Sequence, residues 1–142
     1  MITYVDTSVL VKLVIEEPGS DQARAVWDGS SVLFTGVITY VEGRSALAAA
    51  RRTGRLTASP YRAAVEQIDH LWRQFNVVDV DRPLALQAAA LAEHEALRGY
   101  DAVHLATALA AGCDVLTSAD ADLCDAAARH RLLVADPLEG RS

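Results

Sequence analysis

Lysine is almost missing from this chain: of thirteen Lys and Arg residues in 142, only Lys12 is a lysine. Nineteen acids leave a net charge of −6. Proteins that grip nucleic acid through its phosphates usually carry a basic excess, so the charge taken alone argues against such a partner. Long apolar runs are missing too. None approaches the roughly 20 residues that a membrane span needs, and no membrane association is expected. The opening MITYVDTSVL has no basic stretch ahead of an apolar one and enters a strand-like run at once, so it is not read as a secretory signal. Cysteine is limited to Cys113 and Cys124, far apart and without metal-type spacing. They are expected to be small buried hydrophobes, which fits a reducing, cytoplasmic location. The chain also lacks a zincin His pair, a P-loop and a nucleophile elbow.

What is present is ordinary globular material, 51% hydrophobic and 23% charged, without repeats, linkers or low-complexity stretches. One domain over residues 1–142 is the expectation. Short apolar runs predict strands at Ile2–Val5, Val32–Thr35, Val77–Val80, Asp114–Thr117 and Leu132–Ala135. Their near-continuous apolar character suits strands covered on both faces. Helices are predicted between them. Val9–Ile15 follows a Thr7 or Ser8 cap, and Asp21–Trp27 follows Ser20. Ile38–Thr53 stops at Gly54, and Pro60–Phe75 has Ser59 as cap. Pro83–Leu97 ends at Gly99, Asp101–Ala111 ends at Gly112, and Ala121–His130 closes the series. This alternation predicts an α/β fold, a three-layer α/β/α sandwich with a mainly parallel five-stranded sheet. Sites in such sheets form beyond the carboxyl ends of the strands, where the strand order reverses.

Four acids fall near that edge. Asp6 directly follows the first strand, Glu42 lies one to two turns past the second, Asp101 opens a helix, and Asp120 follows the fourth strand. Singly, Asp101 and Asp120 also read as helix caps, and Asp6 as a turn residue bonded to Thr7 or Ser8. Glu42 is less easily explained away. It sits in an apolar stretch, and its helical face carries Ala46, Ala49 and Thr53, small residues that let another element approach. A buried carboxylate needs a partner, and no lysine or histidine stands one turn away, so a distant arginine or a metal is expected. Gathered carboxylates repel one another unless a cation cancels the charge. Mg²⁺ or Mn²⁺ suits an all-oxygen donor set, and phosphodiester hydrolysis is the chemistry such a site supports best. Four acids neutralised in this way account for most of the net charge of −6.

The motifs that carry these acids resemble a known family. Val5-Asp6-Thr7-Ser8-Val9-Leu10 with Lys12-Leu13 looks like the opening of PIN domains, and Glu42 with Ser45-Ala46-Leu47 like their second acidic motif. Arg98-Gly99-Tyr100-Asp101-Ala102-Val103-His104-Leu105-Ala106-Thr107-Ala108 is the most specific stretch. Leu116-Thr117-Ser118-Ala119-Asp120 resembles the fourth motif, and Leu133-Val134-Ala135-Asp136-Pro137 the closing strand. The set is most similar to VapC toxins of VapBC toxin–antitoxin pairs. The resemblance implies a metal-dependent endoribonuclease acting on RNA, a homodimer, and inhibition by a cognate antitoxin. Asp6, Glu42, Asp101 and Asp120 are the catalytic, metal-binding set it implies. A catalytically inactive interaction module on the same fold is the alternative. A phosphoryl-transfer protein of receiver or haloacid-dehalogenase type is disfavoured, because it needs a lysine near the later strands.

The fourth motif offers two aspartates, Asp120 and Asp122, and the cap position favours Asp120. Thr7 and Ser8 are read equally as caps or as ligands of a bound water or phosphate, and Ser118 as a support for the fourth acid. His104 is read as a hydrogen-bonded core histidine ahead of a general base. Trp27, Trp72 and Phe75 are read as packing. Arg44, Arg51 and Arg55 form a stripe facing away from Glu42, read first as a solvated face and second as an RNA or antitoxin contact.

Overall fold

The computed structural model describes residues 1–139. Its core is one parallel sheet of five strands in the order β3-β2-β1-β4-β5. The strands are β1 (Ile2–Val5), β2 (Val32–Gly36), β3 (Asn76–Val78), β4 (Val115–Thr117) and β5 (Leu133–Ala135). Pairing is in step at the carboxyl ends: Tyr4 lies opposite Phe34, and Val5 opposite Thr117. The chain moves outward from β1 through β2 to β3, then returns to the other side of β1 for β4 and β5. The order therefore reverses between β1 and β4, and the crevice expected of such a sheet opens past Val5 and Thr117.

Among the described residues, seven helices cover the sheet: α1 (Thr7–Val14), α2 (Ser20–Gly29), α3 (Ile38–Arg52), α4 (Ala58–Trp72), α5 (Arg82–Glu95), α6 (Gly99–Ala110) and α7 (Ala121–Arg129). Strand periodicity sorts the core into two layers. Tyr4 joins Leu84, Leu105, Leu116 and Leu123 beneath α5, α6 and α7. The next residue, Val5, points the other way to Leu10, Leu47 and Ile68 beneath α1, α3 and α4. Trp27 meets Phe75 edge-on at 5.2 Å, so these aromatics pack the core as the sequence suggests. Both cysteines are free and buried, and burial pushes the Cys113 thiol up to about 11. No helix among the described residues is long and apolar enough to cross a membrane.

The expected sandwich is present, but several boundaries differ from the sequence pattern. Asp6, not Thr7 or Ser8, is the N-cap residue of α1, which places both hydroxyls in the first turn. Gly19, not Ser20, precedes α2; the Ser20 hydroxyl instead ties the Glu17 amide to the Ile15 carbonyl. The largest difference lies around residues 96–101. α5 ends at Ala96 in the left-handed conformation (φ 53°), and Gly99 begins α6 instead of terminating α5. Arg98 consequently becomes the N-cap position of α6, with Asp101 in its first turn.

Candidate active site

The topology delivers Asp6 first. Its amide donates to the Thr117 carbonyl at 3.1 Å, continuing the β1–β4 pairing by one residue, so its side chain emerges at the reversal point. Asp6 is only 5% exposed, and its Oδ2 accepts hydrogen bonds from Ser8 at 2.8 Å and from Ser118 at 2.7 Å. The two hydroxyls also accept from the backbone, Ser8 from the Ala119 amide and Ser118 from the Asp120 amide, each at 3.0 Å. Ser118 thus connects the first acid to the fourth. Ser8 is not the cap of α1 but part of the same brace.

Glu42 lies on α3 beside a buried ridge formed by Thr39, Gly43, Leu47 and Ala50. That ridge, not the Ala46–Ala49 face expected from the projection, is the side that packs. Glu42 sits on its flank, half-buried. Its Oε1 accepts from Thr7 at 2.8 Å and from His104 Nε2 at 2.7 Å. The expected distant arginine is therefore a histidine, carried by α6 sixty-two residues away. Helical spacing could not reveal that pairing, because the two residues share no element.

His104 is the hub of this half of the site. It is 1% exposed; Nε2 also lies 3.2 Å from Asp6 Oδ1, and Nδ1 lies 2.7 Å from the Tyr4 hydroxyl. Burial holds the Tyr4 hydroxyl far above its ordinary range, so it keeps its proton. Its oxygen accepts from the Gly36 amide at 3.1 Å. With a neutral ring, the Tyr4 O–H donates to Nδ1 and the ring proton sits on Nε2. With a charged ring, Nδ1–H donates to the Tyr4 oxygen, and Nε2 still carries a proton. In both states Nε2–H faces the two carboxylates, so this nitrogen is a brace and not a general base. Burial pushes the imidazole pKa down, but the charges of Asp6 and Glu42, the Glu42 hydrogen bond and the charge of Asp101 outweigh it, and the net direction is up. For Glu42 burial acts upward, but His104 and Thr7 hold it below the usual carboxylate range.

The other two acids form a second pair. Asp101, 7% exposed, accepts from Arg98 Nε at 3.1 Å through Oδ2. Asp120 caps α7 by accepting from the Leu123 amide at 3.0 Å through Oδ1, and its Oδ2 accepts from Arg98 Nη2 at 3.1 Å. Arg98 was a motif residue without a role in the sequence reading, yet it bridges the third and fourth acids. Its side chain is 64% exposed and stacks over Tyr100 at 5.2 Å. Burial raises the Asp101 carboxyl; Arg98 opposes this, while the charges of Asp120 and Asp6 add to it, and the net direction is up. A cleft of about 400 Å³ opens here, lined by Ala96, Leu97, Arg98, Asp101, Asp120 and Asp122. Asp122 shares this wall.

As the side chains stand, no three His, Cys, Asp or Glu groups among the described residues meet closely enough to hold a metal. Instead Asp6 and Glu42 are braced by His104, and Asp101 and Asp120 by Arg98. The donor set nevertheless fits a hard divalent cation. All four acids present oxygen, and the upward push on Asp101 from Asp120 and Asp6 is the repulsion that such a cation relieves. The lone lysine takes no part, because Lys12 is buried against Glu17 at 3.0 Å. Arg55 pairs with the same glutamate and Arg44 donates to the Tyr40 hydroxyl, so two arginines of the stripe are tied internally.

Comparison with known proteins gives concordant results. The PIN domain family model matches residues 3–129. Ribonuclease VapC45 of Mycobacterium tuberculosis (strain CDC 1551 / Oshkosh) is 41% identical over 111 residues, covering 78% of this chain and 77% of that protein. Ribonuclease VapC49 of strain ATCC 25618 / H37Rv matches to the same extent, 41% over 111 residues. Among solved structures, FitAcB from Neisseria gonorrhoeae superimposes with a TM-score of 0.74 at 20% identity, covering 98% of this chain and 99% of that one. Mycobacterium tuberculosis VapC20, described as a sarcin–ricin loop cleaving toxin, gives a TM-score of 0.68 at 24% identity, covering 87% and 94%.

Proposed function

The family match spans most of the chain and makes it a member of the PIN domain family; from that premise we propose that it is a Mg²⁺- or Mn²⁺-dependent endoribonuclease. We assign it the role of toxin in a type II toxin–antitoxin system, working as a homodimer in the cytoplasm and inhibited by a cognate antitoxin. The observation that carries this reading is the placing of Asp6, Glu42, Asp101 and Asp120 near the strand-order reversal, where, among the described residues, His104 and Arg98 are the cationic groups set against them. The relatives at 41% identity that carry the name ribonuclease support the same chemistry. Exposed Val41 and Leu86, at 69% and 72%, supply apolar surface for self-association or for an antitoxin.

Asp6, Asp101 and Asp120, with Glu42, would hold the divalent cation. When bound, that cation supplies an acidified water and neutralises charge on the phosphoryl oxygens. The chain's own residues provide the preorganisation. Ser8 and Ser118 fix the Asp6 carboxylate through Oδ2, while Oδ1 lies 3.2 Å from His104 Nε2. The Tyr4–His104 pair fixes Glu42 from behind without competing as a proton acceptor. Asp120 keeps one oxygen for its helix cap and one for the site.

The direct test is RNA cleavage by the wild-type protein with Mg²⁺, with Mn²⁺ and with excess EDTA, alongside Asp6→Asn. Cleavage that needs the metal and falls at least about ten-fold in the variant, some 1.4 kcal/mol of transition-state stabilisation, is expected. Cleavage undiminished in EDTA refutes the mechanism. The antitoxin role is tested separately by co-expressing the product of the neighbouring gene. Rescue of growth is expected, and absence of any binding removes the toxin–antitoxin role while leaving the nuclease intact.

A further inference from the structure

We propose that Arg98 is a tethered counter-cation that closes the Asp101–Asp120 pair in the metal-free chain and, once displaced from those oxygens by a divalent cation, contacts an RNA phosphate at the cleft. The proposal rests on the nuclease reading above. Its first ground is the allocation of oxygens. Asp120 Oδ1 is committed to the Leu123 amide, and Asp120 Oδ2 and Asp101 Oδ2 are the atoms that Arg98 occupies, each at 3.1 Å. A cation recruited to Asp120 must take the oxygen that the guanidinium holds, and two positive charges on one oxygen repel.

Mobility is the second ground. Asp101 is buried, but the Arg98 side chain is 64% exposed and belongs to the residue that precedes α6, outside the regular helix. Exposed ion pairs contribute little, so the guanidinium can leave cheaply. Tyr100 offers it a second resting place: the ring is 49% exposed, and the guanidinium already lies 5.2 Å from its centroid.

Charge supplies the third ground. Of the residues lining this cleft, three are aspartates and Arg98 is the one basic side chain. A polyanion approaching such a wall needs a positive group besides the metal, and Lys12, Arg44 and Arg55 are engaged elsewhere. A guanidinium forks onto phosphate as readily as onto carboxylate, so releasing two aspartates prepares it for the substrate. The adjacent exposed Tyr100 offers an unpaired base a face to stack on.

The experiment compares wild type with Arg98→Gln, Arg98→Lys and, as a control for net charge, Arg52→Gln at the far end of α3. Mn²⁺ binding is measured by calorimetry. Binding of a hydrolysis-resistant 2′-O-methyl RNA pool is measured with Mn²⁺ over a range of salt. Arg98→Gln is expected to bind Mn²⁺ at least three-fold more tightly and the RNA pool at least five-fold more weakly. Its slope of log affinity against log salt should be shallower by about 0.7, the loss of one phosphate contact to a single strand. Arg98→Lys, which keeps the charge without the fork, should retain most of the RNA affinity, and Arg52→Gln should match wild type in both measurements. Unchanged or weaker Mn²⁺ binding, or unchanged RNA affinity and slope, in Arg98→Gln overturns the exchange, as does an equal gain in Mn²⁺ affinity in Arg52→Gln. Wild type reports on the nuclease reading by itself. If it binds neither Mn²⁺ nor RNA, that reading falls and carries the Arg98 assignment with it.

Discussion

Gly43 stands next to Glu42 on the face of α3 that packs, and replacing it with alanine sets two effects of similar size against each other. In a helix interior, Gly→Ala gains about 0.8–1.0 kcal/mol from propensity alone. Here the added Cβ would lie 2.6 Å from Ile68 Cδ1 and 3.6 Å from Leu10 Cδ2. Both side chains are fully buried, so the methyl cannot simply rotate into solvent. Overpacking of this kind costs about 1–3 kcal/mol. The net expectation for Gly43→Ala is a loss of roughly 0–2 kcal/mol, where an open helix site would show a gain. Ile68→Val removes the offending Cδ1 and alone costs about 0.5–1.5 kcal/mol. In the double variant the alanine methyl fills space that the valine vacates, and stability should return to near wild type. The cycle should give a favourable coupling of roughly 1 kcal/mol or more, measured by urea unfolding. At this chain length each kcal/mol is worth roughly 2–4 °C in Tm. The same displacement acts on function, because pushing α3 away from α1 and α4 stretches the 2.7 Å and 2.8 Å contacts of Glu42 with His104 and Thr7. RNA cleavage should fall in Gly43→Ala and recover in the double variant. Additive stabilities, or a stabilised Gly43→Ala, would refute the packing argument.

Two further outcomes follow from the acid pairs. Asp120→Ala should lower metal-dependent cleavage at least about ten-fold and lose about 1 kcal/mol of capping stability, whereas Asp122→Ala, compared in the same cleavage assay at saturating Mg²⁺, should cost little; a dead Asp122→Ala beside an active Asp120→Ala reverses the assignment. In EDTA, the metal-free protein should be most stable at mildly acidic pH. The raised His104 pKa gives stability that is full below about 6.5 and lost as pH rises through the folded value, and the lowered Glu42 pKa gives stability present above about 4.5 and lost on acidification. A Tm that climbs steadily from about pH 5 to 8 would contradict this, and His104→Asn should flatten the alkaline side.

The parts of this site that the sequence revealed are those set by topology. Asp6, Asp101 and Asp120 follow from strand ends and helix starts, which short apolar runs and cap residues mark locally. Ser118 was read as a support of the fourth acid and proves to brace the first as well. What stayed hidden depends on contacts between distant elements. His104 was placed correctly in the core, but its Glu42 partner lies on another helix, and the Ala46–Ala49 projection pointed to the wrong side of α3. Arg98 was given no role beyond its motif, and Gly99 was taken as a helix stop. Ala96 takes the left-handed turn instead, a conformation that non-glycine residues adopt only at some cost, so composition favoured the wrong position. Its bond to Asp101 has a readable spacing of three, but the bond to Asp120 exists only once α6 and α7 meet.

In the proposed nuclease the four acids would jointly hold a divalent cation, with Arg98 standing in for it in the metal-free chain and His104 remaining as the brace of Glu42. The most direct measurement is the crystal structure of the protein soaked in Mn²⁺, with anomalous scattering recorded at the manganese edge. The expected result is an anomalous peak within direct-ligand distance of Asp101 and Asp120 and direct or water-mediated reach of Asp6 and Glu42, with the Arg98 guanidinium moved off the Oδ2 atoms of Asp101 and Asp120. Fully occupied Arg98 bridges at 3.1 Å with no peak between the aspartates, or a peak elsewhere on the surface only, would contradict it.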